Sequence, residues 1–166
     1  MAETDAAAGG QQTVQPQVAI VSQYVRDLSF ENIAAQKSLT NQGKPDIKVT
    51  VNLDAKPRGE DRFEVILKLN AESTAEGETL FITELDYAGV FMVKNVPQEQ
   101  LHPFLLIECP RQLFPFARRI ISDVTRDGGY PPLMLDMVDF MAIYRQELAR
   151  RQAEQQAAGG TPAGTA

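Results

Sequence analysis

Cysteine and histidine are almost absent from this chain. Cys109 and His102 occur once each, so no intrachain disulfide can form and no metal cluster of cysteine or histidine ligands can be assembled. No apolar run approaches the roughly 18 residues that a membrane span requires. Basic residues are the minority: 16 Lys and Arg against 22 Asp and Glu leave a net charge of −6. That balance argues against nucleic acid and anionic membrane as partners, since both need a basic face. A basic protein partner stays open. The opening stretch MAETDAAAGGQQ has neither the positive flank nor the apolar core of a secretory signal. The GxGxxG, Walker A and GxSxG patterns are also missing. The expectations are a cytoplasmic protein in a reducing setting, no cofactor or metal, and no enzymatic activity.

What remains is ordinary in amount and specific in arrangement. Apolar residues make up 43% of the 166 residues and charged residues 23%, values typical of a single globular domain. A chain of this size buries about two thirds of its unfolded surface and needs no covalent staple. Residues 1–16 and 154–166 are rich in Ala, Gly, Gln and Pro and read as disordered tails. Residues 17–153 are the expected domain.

The first half reads as strands. VAIVSQYVRDLSF, residues 18–30, is β-branched and aromatic; from Tyr24 a period of two places Tyr24, Arg26, Leu28 and Phe30 on one face and Val25, Asp27, Ser29 and Glu31 on the other. DIKVTVNLD sets Ile47, Val49, Val51 and Leu53 against Lys48, Thr50 and Asn52. RFEVILKLNAE and ETLFITELDYAGVFMV follow, with STAEG between them as a hairpin turn. In the last run Phe81, Thr83, Leu85 and Tyr87 share one face, and Ile82, Glu84 and Asp86 the other. Four such strands predict an antiparallel sheet with one covered and one wet face.

The second half reads as helices. CPRQLFPFARRIISDVTRDGG has Pro110 where a first turn tolerates it, then an apolar stripe of Leu113, Phe114, Ala117, Ile120, Ile121 and Val124. NVPQEQLHPFLLIE, before it, is expected to be helical in part. Asp136 is the expected cap of a last helix carrying Phe140, Met141, Ile143, Tyr144 and Leu148. Strands first and helices afterwards define an α+β fold.

Between those helices runs GGYPPLMLDMVDF, whose glycines and prolines forbid regular structure while Tyr130, Leu133, Met134, Leu135 and Met137 keep it apolar. Such a crossover is either buried beneath the helices or a wall offered to other polypeptide. A Tyr130–Asp136 pair in an apolar pocket would instead suit a small α+β enzyme or carrier. No spacing selects that pair, and Cys109 and His102 fit structural roles better than chemical ones. The acidic row on the wet strand face is either solvated or a dock for a basic partner. The apolar area exceeds what one sheet and two helices cover, which predicts self-association.

YVRDLSFEN, LFITELDYAGVF and, above all, CPRQLFPFARRIISDVTRDGGYPPLMLDMVDFMAIY resemble the SecB family of bacterial protein-export chaperones, in the same order and across the whole expected domain. The resemblance implies an ATP-independent chaperone that holds unfolded precursor proteins and delivers them to the SecA motor of the Sec translocase. It implies a homotetramer, a dimer of dimers, in which Thr83, Leu85, Tyr87, Phe114 and Ile121 would meet between subunits. It assigns motor docking to Asp27, Glu31, Ile82 and Glu84. It assigns the client groove to Tyr130, Pro131, Pro132, Leu133 and Leu135, with Phe140, Ile143 and Tyr144, over a floor of Val49, Val51 and Leu53. The nearly uncharged C-terminal tail departs from the family pattern, which removes the expectation that it assists motor contact.

Overall fold

The structure is a computed structural model that describes residues 14–40 and 43–159; most of the N-terminal tail and the last residues of the C-terminal tail lie outside them. Four strands form one antiparallel sheet: β1 (Gln17–Glu31), β2 (Asp46–Pro57), β3 (Arg62–Ala75) and β4 (Glu78–Lys94). Their order across the sheet is β1-β4-β3-β2, so β1 and β2 are the edges. A short helix α1 (Ile33–Gln36) follows β1, and two long helices, α2 (Gln98–Asp127) and α3 (Phe140–Ala158), complete the chain.

The β3–β4 hairpin is tighter than STAEG suggests. Ser73, Thr74 and Ala75 belong to β3, leaving a two-residue turn at Glu76 and Gly77 with φ of 51° and 81°. Positive φ at both central residues matches the right-handed twist of the strands.

One face of the sheet packs under α2. Val65, Leu67 and Leu69 of β3 and Leu85, Tyr87, Phe91 and Val93 of β4 form a core with Leu105, Cys109, Leu113, Phe114, Ala117 and Ile121 of the helix. Gly89 makes this close approach possible, since a Cβ there would sit 2.8 Å from Leu113 Cδ2. Desolvation pushes the Cys109 thiol up to about 12; it is a buried apolar group.

Helix α2 begins earlier than Pro110. It runs unbroken through Pro103, Pro110 and Pro115, although each internal proline removes a hydrogen bond and costs about 3 kcal/mol. The reason lies in the apolar spacing: buried Leu105, Leu106 and Cys109 extend the stripe of Leu113, Phe114, Ala117 and Ile121 backwards. Burying one large apolar side chain is worth about 1.5–3 kcal/mol, so a stripe of this length outweighs three prolines. The cap of α3 is likewise Asp139, which accepts from Ala142 N at 3.0 Å; Asp136 stands free in the crossover. Helix α3 runs on to Ala158, past the expected boundary at 153.

The strict alternation expected in β1 fails at Arg26. The pairing with β4 slips there, between Val25↔Tyr87 and Asp27↔Asp86, the signature of a β-bulge. Val25 therefore lies on the helix side, and Tyr24, opposite Ala88, lies on the wet side. Asp27, Ser29 and Glu31 keep their expected face.

Candidate functional site

Two surfaces lie on opposite sides of the sheet. The first is the wet face of β1 and β4. Asp27 pairs with Asp86, Ser29 with Glu84, and Glu31 with Ile82, so the period of two brings all four expected docking positions onto one face. Asp27, Glu31 and Glu84 are exposed, while Ile82 is half-buried. Like charges directly opposite repel; Lys68 stands 3.9 Å from Asp86 and partly offsets that. Asn70 Nδ2 donates to Glu84 Oε1 at 3.0 Å. A shallow hollow lined by Asp27, Asn70, Glu84, Asp86, Lys68 and Asn52 occupies about 240 Å³. Asp86, which the period of two already put in the acidic row, joins this hollow although the resemblance assigned it no docking role.

The second surface is the helix side along β2 and the crossover, residues 130–139. Here the expected groove residues do not form one wall. Leu53, Ile143 and Tyr144 meet, with Leu106, in a cleft of about 420 Å³ whose rim carries Lys68, Glu147, Arg150 and Arg151. Arg150 and Arg151 each donate to Glu147 Oε1 at 2.9 Å and hold its carboxyl below the usual carboxylate range. Val51 is half-buried and Val49 is 41% exposed, so the floor rises out of cover along β2. Tyr144 also contacts His102, whose Nδ1 lies 3.2 Å from Tyr144 Oη; His102 lines a smaller apolar hollow beside Phe63, Leu101 and Leu105.

The crossover is an extended segment laid along α2. Leu135 and Phe140 are core residues, 5% and 2% exposed, and cannot wall an open groove. Two anchors hold Leu135 in place, Thr125 Oγ1 accepting Leu133 N–H at 2.9 Å and Arg118 Nε donating to Leu135 O at 2.6 Å, while Phe140 packs edge-on against Phe114. On either side of the buried Leu135, Met134 and Asp136 are exposed. Pro131, Pro132, Met134 and Met137 are exposed, Met137 at 85%, and Leu133 is half-buried. The two methionines belong to the apolar run seen in the sequence but not to the groove the resemblance assigned, and they are its most exposed large apolar side chains.

Tyr130 sits apart from the rest of the crossover. It packs on Phe81 at 4.7 Å and Phe30 at 6.4 Å between ring centroids. Its hydroxyl lies 2.8 Å from Asn32 Oδ1 and 3.2 Å from Leu80 O, and Asp136 is exposed. The hydroxyl is thus spent on Asn32 and Leu80, which removes the Tyr130–Asp136 acid–base pair. Among the described residues no group of three or more His, Cys, Asp or Glu is placed to hold a metal ion.

The residues expected between subunits are buried within one chain. Thr83, Leu85, Tyr87, Phe114 and Ile121 are all 6% exposed or less, because α2 of the same chain covers the bulky face of β4. The uncovered apolar surface lies one strand over, on the edge strand β1. Val18, Ile20, Val25 and Leu28 pair with Val93, Phe91, Tyr87 and Leu85 on the helix side, yet each is 36–45% exposed. Phe116 of α2, stacked on Tyr87, is 41% exposed.

A four-stranded sheet with this order, a crossover and two long helices defines an α+β protein of the SecB-like chaperone fold. A Mycobacterium tuberculosis SecB-like chaperone, solved in complex with a ChAD peptide from an antitoxin, superposes with a TM-score of 0.56 at 18% identity, over 73% of this chain and 90% of that one. The family described as SecB, preprotein translocase subunit SecB, matches residues 11–151. A protein-export protein SecB from Dinoroseobacter shibae is 63% identical over 89% of this chain and 88% of its own. Another, from Ruegeria pomeroyi, is 60% identical over 95% and 96%. The chain belongs to the SecB family.

Proposed function

We propose that this protein is an ATP-independent export chaperone that holds unfolded precursor proteins in the cytoplasm and hands them to the SecA motor. The single observation that carries the reading is identity of 60% or more, over most of the chain, to proteins named for protein export. The two surfaces support it. An open cleft with an apolar floor of Leu53, Leu106, Ile143 and Tyr144, and separately the exposed Pro131, Pro132, Met134 and Met137 of the crossover, suit burial of apolar side chains without a sequence code. Methionine adapts its shape and recurs on promiscuous surfaces. On the reverse face, Asp27, Glu31, Ile82 and Glu84 suit a basic partner, and we assign motor docking to them.

The active form is a homotetramer. Exposed Val18, Ile20, Val25 and Leu28 with Phe116 form an apolar strip on an edge strand, a surface that soluble monomers rarely leave open. Client sites repeated on four subunits would then act together along one long chain. The protein carries no catalytic activity of its own. Light scattering on size-exclusion chromatography, with no nucleotide and with a chemically unfolded precursor, tests the reading. A tetramer that retains the unfolded precursor and ignores the folded one is the expected result. A monomer that retains neither rules it out.

A further inference from the structure

The two surfaces meet at one small cluster of residues. Asn32 immediately follows Glu31 and caps α1, its Oδ1 accepting Ala35 N–H at 3.2 Å. The same oxygen faces Tyr130 Oη at 2.8 Å, and Asn32 Nδ2 donates to Gly128 O at 2.9 Å. One carboxamide therefore ties the end of β1 to the end of α2 and to the first residue of the crossover. Leu80 O, on β4, lies 3.2 Å from the Tyr130 hydroxyl. That hydroxyl has one proton and two facing acceptors, one just past the end of β1 and one on β4, the strands that carry the docking row.

The packing beneath is equally tight. Phe30 and Phe81 stack at 5.5 Å, and Tyr130 closes the trio. A Cβ at Gly128 would collide with the Phe30 ring. The docking pair Glu31↔Ile82 lies on the opposite side of the sheet from Phe30 and Phe81, each the immediate chain neighbour of one member. The rest of the crossover is tied to α2 through Thr125 and Arg118. Sheet and crossover are thus joined at a junction one residue away from the docking positions.

We propose that Asn32 and Tyr130 form a latch that couples occupancy of the acidic sheet face to the grip of the crossover on its client. The proposal rests on the docking and client-holding roles assigned above. A partner seated on Glu31 and Ile82 shifts the end of β1 against β4 and changes which acceptor holds the Tyr130 proton. It thereby loosens the tie from Asn32 to Gly128. The crossover and the end of α2 then move as one body and the client is released. Asn32 and Tyr130 are positioning residues, since they act through the crossover.

The test uses the full-length protein and measures its Kd for a dye-labelled, reduced and carboxymethylated polypeptide, with and without saturating SecA. In the native protein SecA raises the client Kd about 5-fold or more, within the usual range of coupling between sites. In Tyr130→Phe, which keeps the ring and removes the hydroxyl, the ratio falls to within about 2-fold of unity. Asn32→Asp keeps the cap and the acceptor but loses the donor to Gly128, and lowers the ratio in the same direction. A merely structural role would change the client Kd equally with and without SecA and leave the ratio intact. An intact ratio in both variants overturns the latch. So does a native ratio of one, while leaving client holding and docking standing. Failure of the underlying reading shows differently: either the native protein does not bind the unfolded polypeptide, or reversing the charge of Glu84 leaves SecA binding unchanged.

Discussion

Tyr24 on the edge strand β1 reaches across β4 to donate a 2.5 Å hydrogen bond to Glu64 Oε1 on β3. The other carboxylate oxygen receives Arg58 Nη2 at 2.6 Å and Nε at 3.1 Å. Glu64 is 1% exposed, and a buried charge persists only where it is satisfied. The bulge at Arg26 turns Tyr24 to this side, so one irregularity lets a single side chain stitch three strands together.

Tyr24→Phe should lower stability by about 1 kcal/mol, the net worth of one such bond, read as a shift of the urea midpoint at constant slope. An unchanged midpoint would mean the bond is idle.

The pH dependence of that site has a definite sign. The Tyr24 hydroxyl, aided by Arg58, holds the Glu64 carboxyl below its ordinary value. A depressed folded pKa contributes stability that is complete above the unfolded value of about 4.3 and is lost as pH falls through the folded one. Glu64→Gln should therefore flatten the acid limb of stability against pH. Parallel acid limbs for the two proteins would refute it.

Charge reversal at Glu84 should weaken SecA binding while leaving assembly and client holding as they are. The side chain is exposed, and its one described hydrogen bond is to Asn70. Dissociation of the assembly in Glu84→Arg would place the dock elsewhere.

Leu135 and Met137 lie two residues apart in the crossover and should behave oppositely. Leu135→Ala opens a core cavity and should cost about 2–5 kcal/mol. Met137→Ser should leave stability within about 0.5 kcal/mol and weaken client binding. The reverse pattern in calorimetry and client titration would mean that Met137, not Leu135, is the buried anchor.

Val25→Asp should break the assembly and spare the fold, because Val25 is 45% exposed on the uncovered strip of β1. Scattering mass and circular dichroism on one sample decide the matter. An intact tetramer would move the interface off that strip.

Much of this was legible in the residues. The period of two placed Asp27, Glu31, Ile82 and Glu84 on one wet face, and that face is where the structure has them. Alternation is local and survives into the sheet because one side must stay in water. The groove was less legible, since an apolar residue reads the same whether it walls a cleft or fills a core. Leu135 is buried and Met137 exposed because Thr125 and Arg118 tie the crossover to α2 at Leu133 and Leu135, and Met137 lies beyond those ties.

By itself the sequence determined the element types, their order, the acidic face and the family. These depend on spacing, charge and similarity, all carried by neighbours along the chain. Tertiary structure alone decided the rest. It switched the face of Tyr24 through a bulge, carried α2 through three prolines, and buried Thr83, Leu85, Tyr87, Phe114 and Ile121 inside one subunit. In each case the deciding partner lies far along the chain, and burial against it outweighs the local preference.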